Sequence, residues 1–513
     1  MIGRQFAFAI LVALQIDLIS GFGTNYWKIR EQVEEHRDNV MRKNIKQMYH
    51  PRFPSSFEPK PLPEMYFTQP MDHFDPTIKE TYQQRYFVNK EFWKTNGPVF
   101  LYIGGEGEIS SLAIQGGETY VLAKQYGALM FAVEHRFYGK SINEDGLKLS
   151  SLQYLSSQQA LADLASFHRF AEKEYGLTEQ NTWVCFGGSY PGALSAWFRL
   201  KYPHLVYGAI ASSAPVRAKA NFEGYNSVVA ESLATPLVNG SEKCALAVQS
   251  AFKTVDTMLD MELYSQLETD FKSCGSISQH ADTFQFVSNL ADPFMGTVQY
   301  NDEGAGYNIT SICDDMLAKT SPYQSLRYLY EKMLNRTEQK CADNSWENFI
   351  KQLSNTTVVK GGGVGIRQWL YQTCTQFGYY QSCDANTTCI FSRYMDFGHN
   401  IDICQQVYGV SGDEVFKRVE FTNSYYGGDH PRGTRIVFVN GSIDPWHALS
   451  ILQNETATET AIYIQGTAHC ANMHDDAPRD LPALRQARKE ISDQIGAWLK
   501  EANRKKDTTL YFV

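Results

Sequence analysis

Short apolar runs bounded by glycines and polar turns recur along the first half of the chain, at 98–103, 128–133, 182–186 and 209–212. Runs this short and continuous predict strands buried on both faces of a parallel sheet. Two segments with strand character, 65–74 and 81–89, precede them. Between the second and third runs, Leu161, Leu164, Phe167 or His168, and Phe170 fall on one side of a helix, and Ser156 and Gln159 have the spacing of a capping box. Residues 192–202 again read as helix, which Pro203 closes. Strand, helix, strand is the α/β pattern. The alternation breaks near Val216 and returns near Thr434, where 435–440 and 461–465 read as buried strands. The stretch between is an insertion with helical patterns such as 325–334. A long amphipathic helix, 481–502, ends the pattern and is expected to pack back on the core.

At 513 residues, 43% of them apolar, the chain can bury a large core. Its formal net charge of -9 offers no general footprint for nucleic acid. The amino terminus places Arg4 before an apolar run at 6–14 and small residues at Ser20, Gly21 and Gly23, the layout of a signal peptide cleaved near Gly21 to Gly23. A signal anchor is the alternative, but the run is well short of the roughly 18 residues that a span needs. A charged helical lead at 27–48 and a Pro-rich passage at 51–63 follow; the lead is either mature N-terminus or pro-segment. The expected organisation is a signal peptide (1–23), a first core segment (24–216), a helical cap insertion (217–430) and a second core segment (431–513).

Secretory entry changes how the ten cysteines are read, because disulfides persist in oxidising compartments. Cys244, Cys274, Cys313, Cys341, Cys374, Cys383, Cys389 and Cys404 all fall in the insertion and are expected to tie it together. Cys185 and Cys470 stand apart and are expected to be unpaired. Asn-x-Ser/Thr acceptors begin at Asn239, Asn308, Asn335, Asn355, Asn386, Asn440 and Asn454, five of them in the insertion. Asn440, in a turn beside candidate chemistry, is expected to stay unmodified.

The strongest local signal is Val184-Cys185-Phe186-Gly187-Gly188-Ser189-Tyr190-Pro191-Gly192, a strand, a sharp turn and a helix. A nucleophile elbow has this form: the serine occupies a strained backbone position, and small neighbours let strand and helix approach. Pro191 replaces the second glycine of G-x-S-x-G, which the free N–H positions of a first helical turn tolerate. A serine hydroxyl needs a histidine to take its proton and a carboxylate to hold that histidine in the right tautomer. On this kind of sheet they follow in the order Ser, acid, His, each behind a strand. Asp444 follows the strand at 435–439, and His469 follows the strand at 461–464. His447 is too close to Asp444 for a strand to intervene, and His474 lies further from the strand end. Taken singly, Asp444 and His469 also read as a turn aspartate and a capping histidine. The oxyanion of the tetrahedral intermediate needs two N–H donors, for which Tyr190 and Gly105, in the Gly104-Gly105-Glu106-Gly107 loop, are the candidates.

These residues resemble the S28 family of serine peptidases. The resemblance spans nearly the whole mature chain and includes Thr68-Gln69 with Asp72-His73-Phe74, Gln84-Arg85-Tyr86-Phe87, Gly104-Gly105-Glu106-Gly107, Glu134-His135-Arg136-Phe137-Tyr138-Gly139, the Ser189 elbow, Gln372-Thr373-Cys374-Thr375, Asn440-Gly441 with Asp444-Pro445-Trp446, and Ala468-His469. Pro191 in the elbow and Cys470 after the histidine look most similar to the family's thymus-specific branch. The resemblance implies an α/β-hydrolase core with a cap inserted before the strand that leads to Asp444. It also implies cleavage beside proline near a peptide terminus, with Trp446 lining the pocket for that residue. The chain departs from proline-cutting members at Cys470, where they carry a second histidine, and at Gln376, where they commonly carry glutamate.

The expected activity is a serine exopeptidase of short peptides, working through an acyl-enzyme with no cofactor and no metal. Peptides are the expected partners, with no nucleic acid and no membrane span after signal cleavage, and a homodimer is possible by analogy with relatives. A lipase or esterase on the same core, or a silent hydrolase-like binding protein, are the alternatives, since a fold does not determine the leaving group. The expected location is secreted or lysosomal.

Overall fold

The computed structural model describes residues 24–49, 61–303, 308–359, 365–384 and 387–510. The signal-peptide reading, most of the Pro-rich passage and the acceptor at Asn386 lie outside them. One sheet holds eight strands: β1 (Met65–Pro70), β2 (Thr81–Asn89), β3 (Val99–Ile103), β4 (Leu129–Val133), β5 (Trp183–Gly188), β6 (Gly208–Ser212), β7 (Ile436–Gly441) and β8 (Glu459–Ile464). Their spatial order is β1-β2-β4-β3-β5-β6-β7-β8. β2 runs antiparallel to both β1 and β4, and every other pairing is parallel. This is the sheet of an α/β-hydrolase, and the continuous apolar runs are its central strands.

Alternation within those runs sends side chains to opposite faces. Val99, Leu101 and Ile103 of β3 join Cys185 of β5 in one core, whereas Phe100 joins Val184 and Phe186 in the other. The helices that matter below are α1 (Thr24–Tyr49), α2 (Gly117–Tyr126), α3 (Ser157–Tyr175), α4 (Tyr190–Lys201), α5 (Gly224–Ala234), α6 (Glu242–Asp260), α7 (His280–Gln299) and α8 (Pro482–Leu510). Ile491, Ile495 and Trp498 of α8 close the second core, as the amphipathic pattern of the terminal helix implies. The first core continues from α3 and α4 into the insertion through Phe252 of α6 and Leu290 and Phe294 of α7. Helix α7 is buried on all sides from Thr283 to Gln299, so it forms the centre of the insertion rather than its surface.

Four disulfides, Cys244–Cys313, Cys274–Cys341, Cys374–Cys404 and Cys383–Cys389, lie wholly within the insertion. Cys185 and Cys470 are buried free thiols. Asn440 is buried at the end of β7, where its side-chain amide donates to the Ile451 carbonyl at 3.0 Å, so the folded chain offers no acceptor there. The expected capping box at α3 is half made. Ser156 Oγ accepts from the Gln159 N–H, but the Gln159 carboxamide turns away to Asp72 and to the His73 N–H.

That diversion belongs to a buried polar frame built from the motifs at 69–73, 84–85 and 134–136. Arg136 donates to both oxygens of Asp163 at 2.6 and 2.7 Å and to the Met71 and Tyr154 carbonyls, while His73 meets Asp163 at 2.7 Å. Glu134 accepts from Arg85, Ser141 and the Lys140 N–H. Each charge in the frame is paired, which is the condition for tolerating burial. Asp163→Ala, which strands the Arg136 guanidinium in the interior, is expected to lower stability by about 3–5 kcal/mol in urea unfolding. A loss below about 1 kcal/mol, the scale of a surface pair, would contradict a buried frame.

Candidate active site

Ser189 sits between β5 and α4 with φ 65° and ψ -133°, in the half of dihedral space that non-glycine residues avoid. Close packing on both sides enforces this turn. A Cβ on Gly187 would lie 2.1 Å from the Pro191 carbonyl oxygen, and one on Gly192 would lie 2.6 Å from the Ser212 oxygen. The Ser189 N–H donates to that Ser212 oxygen at 2.9 Å, tying the turn to β6. The strain is thus opposed by a hydrogen bond and by the backbone contact of α4 with the sheet.

Asp444 follows β7, is fully buried, and caps the short helical turn Pro445–Leu449 by accepting from the Trp446 N–H at 3.0 Å. The same oxygen, Oδ1, lies 2.9 Å from Nδ1 of His469, which follows β8. That bond assigns the Nδ1 proton and leaves Nε2 as the proton acceptor. Burial opposes a charged ring here; the Asp444 carboxylate, with the Cys470 sulfur also beside the ring, outweighs burial and holds His469 above its ordinary value. The two competing histidines are engaged elsewhere: His447 donates to the Gly441 carbonyl, and His474 meets Glu303 at 3.1 Å.

Ser189, Tyr190, Gly105, Trp446 and His469 all line one cleft of about 350 Å³, with Asp444 behind it. Tyr190 is the first helical residue of α4, where the helix supplies no acceptor for the N–H. The Gly105 loop is brought up against Pro191, whose ring carbon Cγ would be 2.2 Å from any Cβ at Gly105. Trp446 packs among Phe222, Tyr225 of α5 and Tyr379, giving the cleft an aromatic wall. The site is therefore a serine at a strained turn, an oriented imidazole, the backbone of Tyr190 and of Gly105 in the same lining, and an apolar wall. Such an arrangement can carry out acyl transfer.

Three features were not legible beforehand. Gln299, at the end of α7, accepts from the Trp446 indole N–H at 2.9 Å and from the Tyr225 hydroxyl at 2.7 Å, and its carbonyl accepts from the His469 N–H at 3.0 Å. One residue of the insertion therefore holds both the aromatic wall and the histidine loop, and no motif marks it. Gln376 lies outside the cleft lining: its carboxamide accepts from the Ser157 N–H at 2.8 Å at the start of α3, so this departure from the proline-cutting pattern is a matter of packing. Helix α1, read only as a charged lead, supplies Arg30, Arg37 and Met41 to the cleft wall.

Residues 69–491 match the model of the family described as "Serine carboxypeptidase S28". The chain belongs to the S28 serine peptidases. It is 39% identical over 476 residues to a thymus-specific serine protease of Mus musculus, covering 91% of this chain and 93% of that one. It is likewise 39% identical over 452 residues to the Homo sapiens thymus-specific serine protease, covering 86% and 88%. A Homo sapiens lysosomal Pro-X carboxypeptidase is 26% identical over 463 residues, covering 85% and 88%. For this S28 peptidase, Gly187→Ala is expected to abolish labelling by a fluorophosphonate, because the new methyl meets backbone that cannot move without undoing the elbow. Wild-type labelling of that variant would mean that the turn at Ser189 is not what exposes the serine.

Proposed function

We propose that this serine peptidase removes short pieces from peptide termini, with Ser189 as nucleophile, His469 as general base and Asp444 as the group that orients it. The observation that carries the reading is the strained turn at Ser189 facing the same cleft as an imidazole already hydrogen-bonded to a buried aspartate. In the reaction, Ser189 Oγ attacks the scissile carbonyl carbon as Nε2 of His469 takes its proton. The Tyr190 and Gly105 N–H groups receive the charge on the tetrahedral oxygen. The C–N bond breaks as the imidazolium passes that proton to the leaving amine. Water, deprotonated by the same ring, then attacks the Ser189 ester, and the C–O bond breaks as the imidazolium gives the water's proton to Ser189 Oγ. The serine's proton leaves on the amine and water replaces it, so the enzyme ends as it began. Asp444 remains an acceptor throughout.

The aromatic wall at Trp446 favours a rigid apolar residue such as proline at the cut, a reading in keeping with a relative named for Pro-X cleavage. Residues 217–430 act in this reading as a cap over a core made of 24–216 and 431–513, restricting the cleft to short or unfolded chains. The four disulfides fit an oxidising compartment, which supports a secreted or lysosomal location. No helix among the described residues is long and apolar enough to cross a membrane.

Ser189→Ala is expected to eliminate fluorophosphonate labelling and to lower peptide turnover by orders of magnitude while thermal unfolding stays unchanged. Retained peptidase activity defeats the assignment, and turnover of an ester panel without turnover of peptides would shift it to an esterase. Trp446→Ala should reduce kcat/KM more for peptides with proline at the cut than for those with alanine, by about 1–3 kcal/mol of discrimination. Equal losses refute the pocket. Only a neutral imidazole accepts the serine proton, so the labelling rate should rise with pH through a limb above the ordinary histidine value of about 6.5. In Asp444→Asn the largest raising influence is gone and burial remains, so the residual limb should move to lower pH; a limb that stays put or climbs contradicts the role of Asp444.

A further inference from the structure

Helix α1 lies outside the residues matched by the family model, yet its Arg30, Arg37 and Met41 line the cleft and it is fastened on both banks. On the core side Arg30 pairs with Glu106 at 3.1 Å, one residue beyond Gly105. Asp38 accepts from Ser110 at 3.4 Å, Asn44 donates to Asp475 at 3.1 Å, and Met41 packs where a Cβ on Gly116 would stand. On the insertion side Ile29 and Val33 lie against Pro293 and Gly296 of α7. A side chain at position 296 would press on Ile29 at 3.1 Å, so glycine there lets the two helices approach. The two banks meet at Glu303. Its carboxylate pairs with Arg37 of α1 and, at 3.1 Å, with His474, five residues after His469. Arg37 also lies over the Tyr300 ring at 5.3 Å. These pairs are partly buried, so salt screens them less than it would surface pairs.

A peptide lying along the cleft with its scissile bond at Ser189 would meet this helix. We propose that α1 is the end wall of the substrate cleft, a specificity-determining element that admits a chain end and blocks a continuing chain, with the Arg37–Glu303–His474 junction as its latch. The proposal rests on the terminal-cleavage reading above and gives it a physical cause. A cap alone narrows access from above. A helix bridging cap and core closes the groove lengthwise. Because Glu303 also holds His474, the latch ties closure of the wall to the position of the histidine loop.

The test compares cleavage of a long unstructured peptide, blocked at both termini, with cleavage of a short free peptide by the full-length protein. Wild type should process the short peptide and leave the blocked one uncut. Arg37→Glu, which sets two carboxylates against each other at Glu303, should raise blocked-peptide cleavage relative to short-peptide cleavage by about tenfold or more, both rates being taken per fluorophosphonate-reactive enzyme. The charge swap of Arg37→Glu with Glu303→Arg remakes the pair with α1 but gives up the one with His474, and should bring the ratio part of the way back to wild type. If Arg37→Glu loses labelling, Arg30→Ala reads the same ratio on the core bank. A ratio that stays at the wild-type value in the labelling-competent variant overturns the wall while leaving terminal cleavage standing. Wild type cutting the blocked peptide as readily as the short one overturns both.

Discussion

The geometry at Ser189 depends on the distance between α4 and the sheet. Helix and strand touch backbone to backbone there: Gly187 faces the Pro191 carbonyl, and Gly192 faces the Ser212 carbonyl, with no room for a single Cβ at either point. That approach forces φ of Ser189 positive and points the residue out of the sheet. The hydrogen bond from the Ser189 N–H to Ser212 makes the turn part of the parallel ladder rather than a loop beside it. Everything else in the site is placed relative to this point. The Gly105 loop abuts Pro191, and the Cys470 N–H donates to Ser213 at 2.8 Å, one residue beyond the carbonyl that anchors the elbow. The residue that follows β6 thus carries the histidine loop, so serine and imidazole are referenced to two adjacent residues.

The parts of this architecture that are local in sequence could be read from it. Strands β3 to β6 are continuous apolar runs because both their faces are buried, and that leaves a signal in a few adjacent positions. The elbow shows itself for the same reason: glycines, serine and proline must occur within six residues. Asp444 and His469 could be ranked above other candidates only because each follows a strand. Gln299 had no such mark. Its contacts reach Tyr225, Trp446 and His469, which converge only once α7 has threaded through the insertion. The half-made capping box failed for a related reason: Gln159 had a stronger use in the frame around Asp72 and His73 than at its own helix end.

Motifs that mark the family are unequal in what they do. The 134–136 and 69–73 segments build a buried ion-pair frame beside the antiparallel edge of the sheet, where Arg136, Asp163 and His73 satisfy one another. The pair most exposed to functional interpretation, Gln376 and Cys470, also divides on inspection. Gln376 terminates in hydrogen bonds to Ser157 and Gln158 at the start of α3. Cys470 lies in the cleft lining, and its sulfur is 2.8 Å from where a side chain on Gly188 would begin. Of the two departures, only the cysteine borders reacting groups.

The insertion is as much a part of the site as the sheet. The first core runs without a break from β5 into α7, so the cap is not a lid resting on a finished protein. Gln299 passes that packing directly to the chemistry: a shift of α7 moves the acceptor of the Trp446 indole, the acceptor of the His469 N–H and the neighbouring Glu303 latch together. Free opening of the cap would therefore disconnect the aromatic wall and the histidine loop in the same motion. Under the proposed terminal-cleavage reading, a cleft wired in this way suits substrates that thread into a closed site over substrates that require it to open. In that reading short or unfolded peptide ends meet the condition, and folded proteins do not.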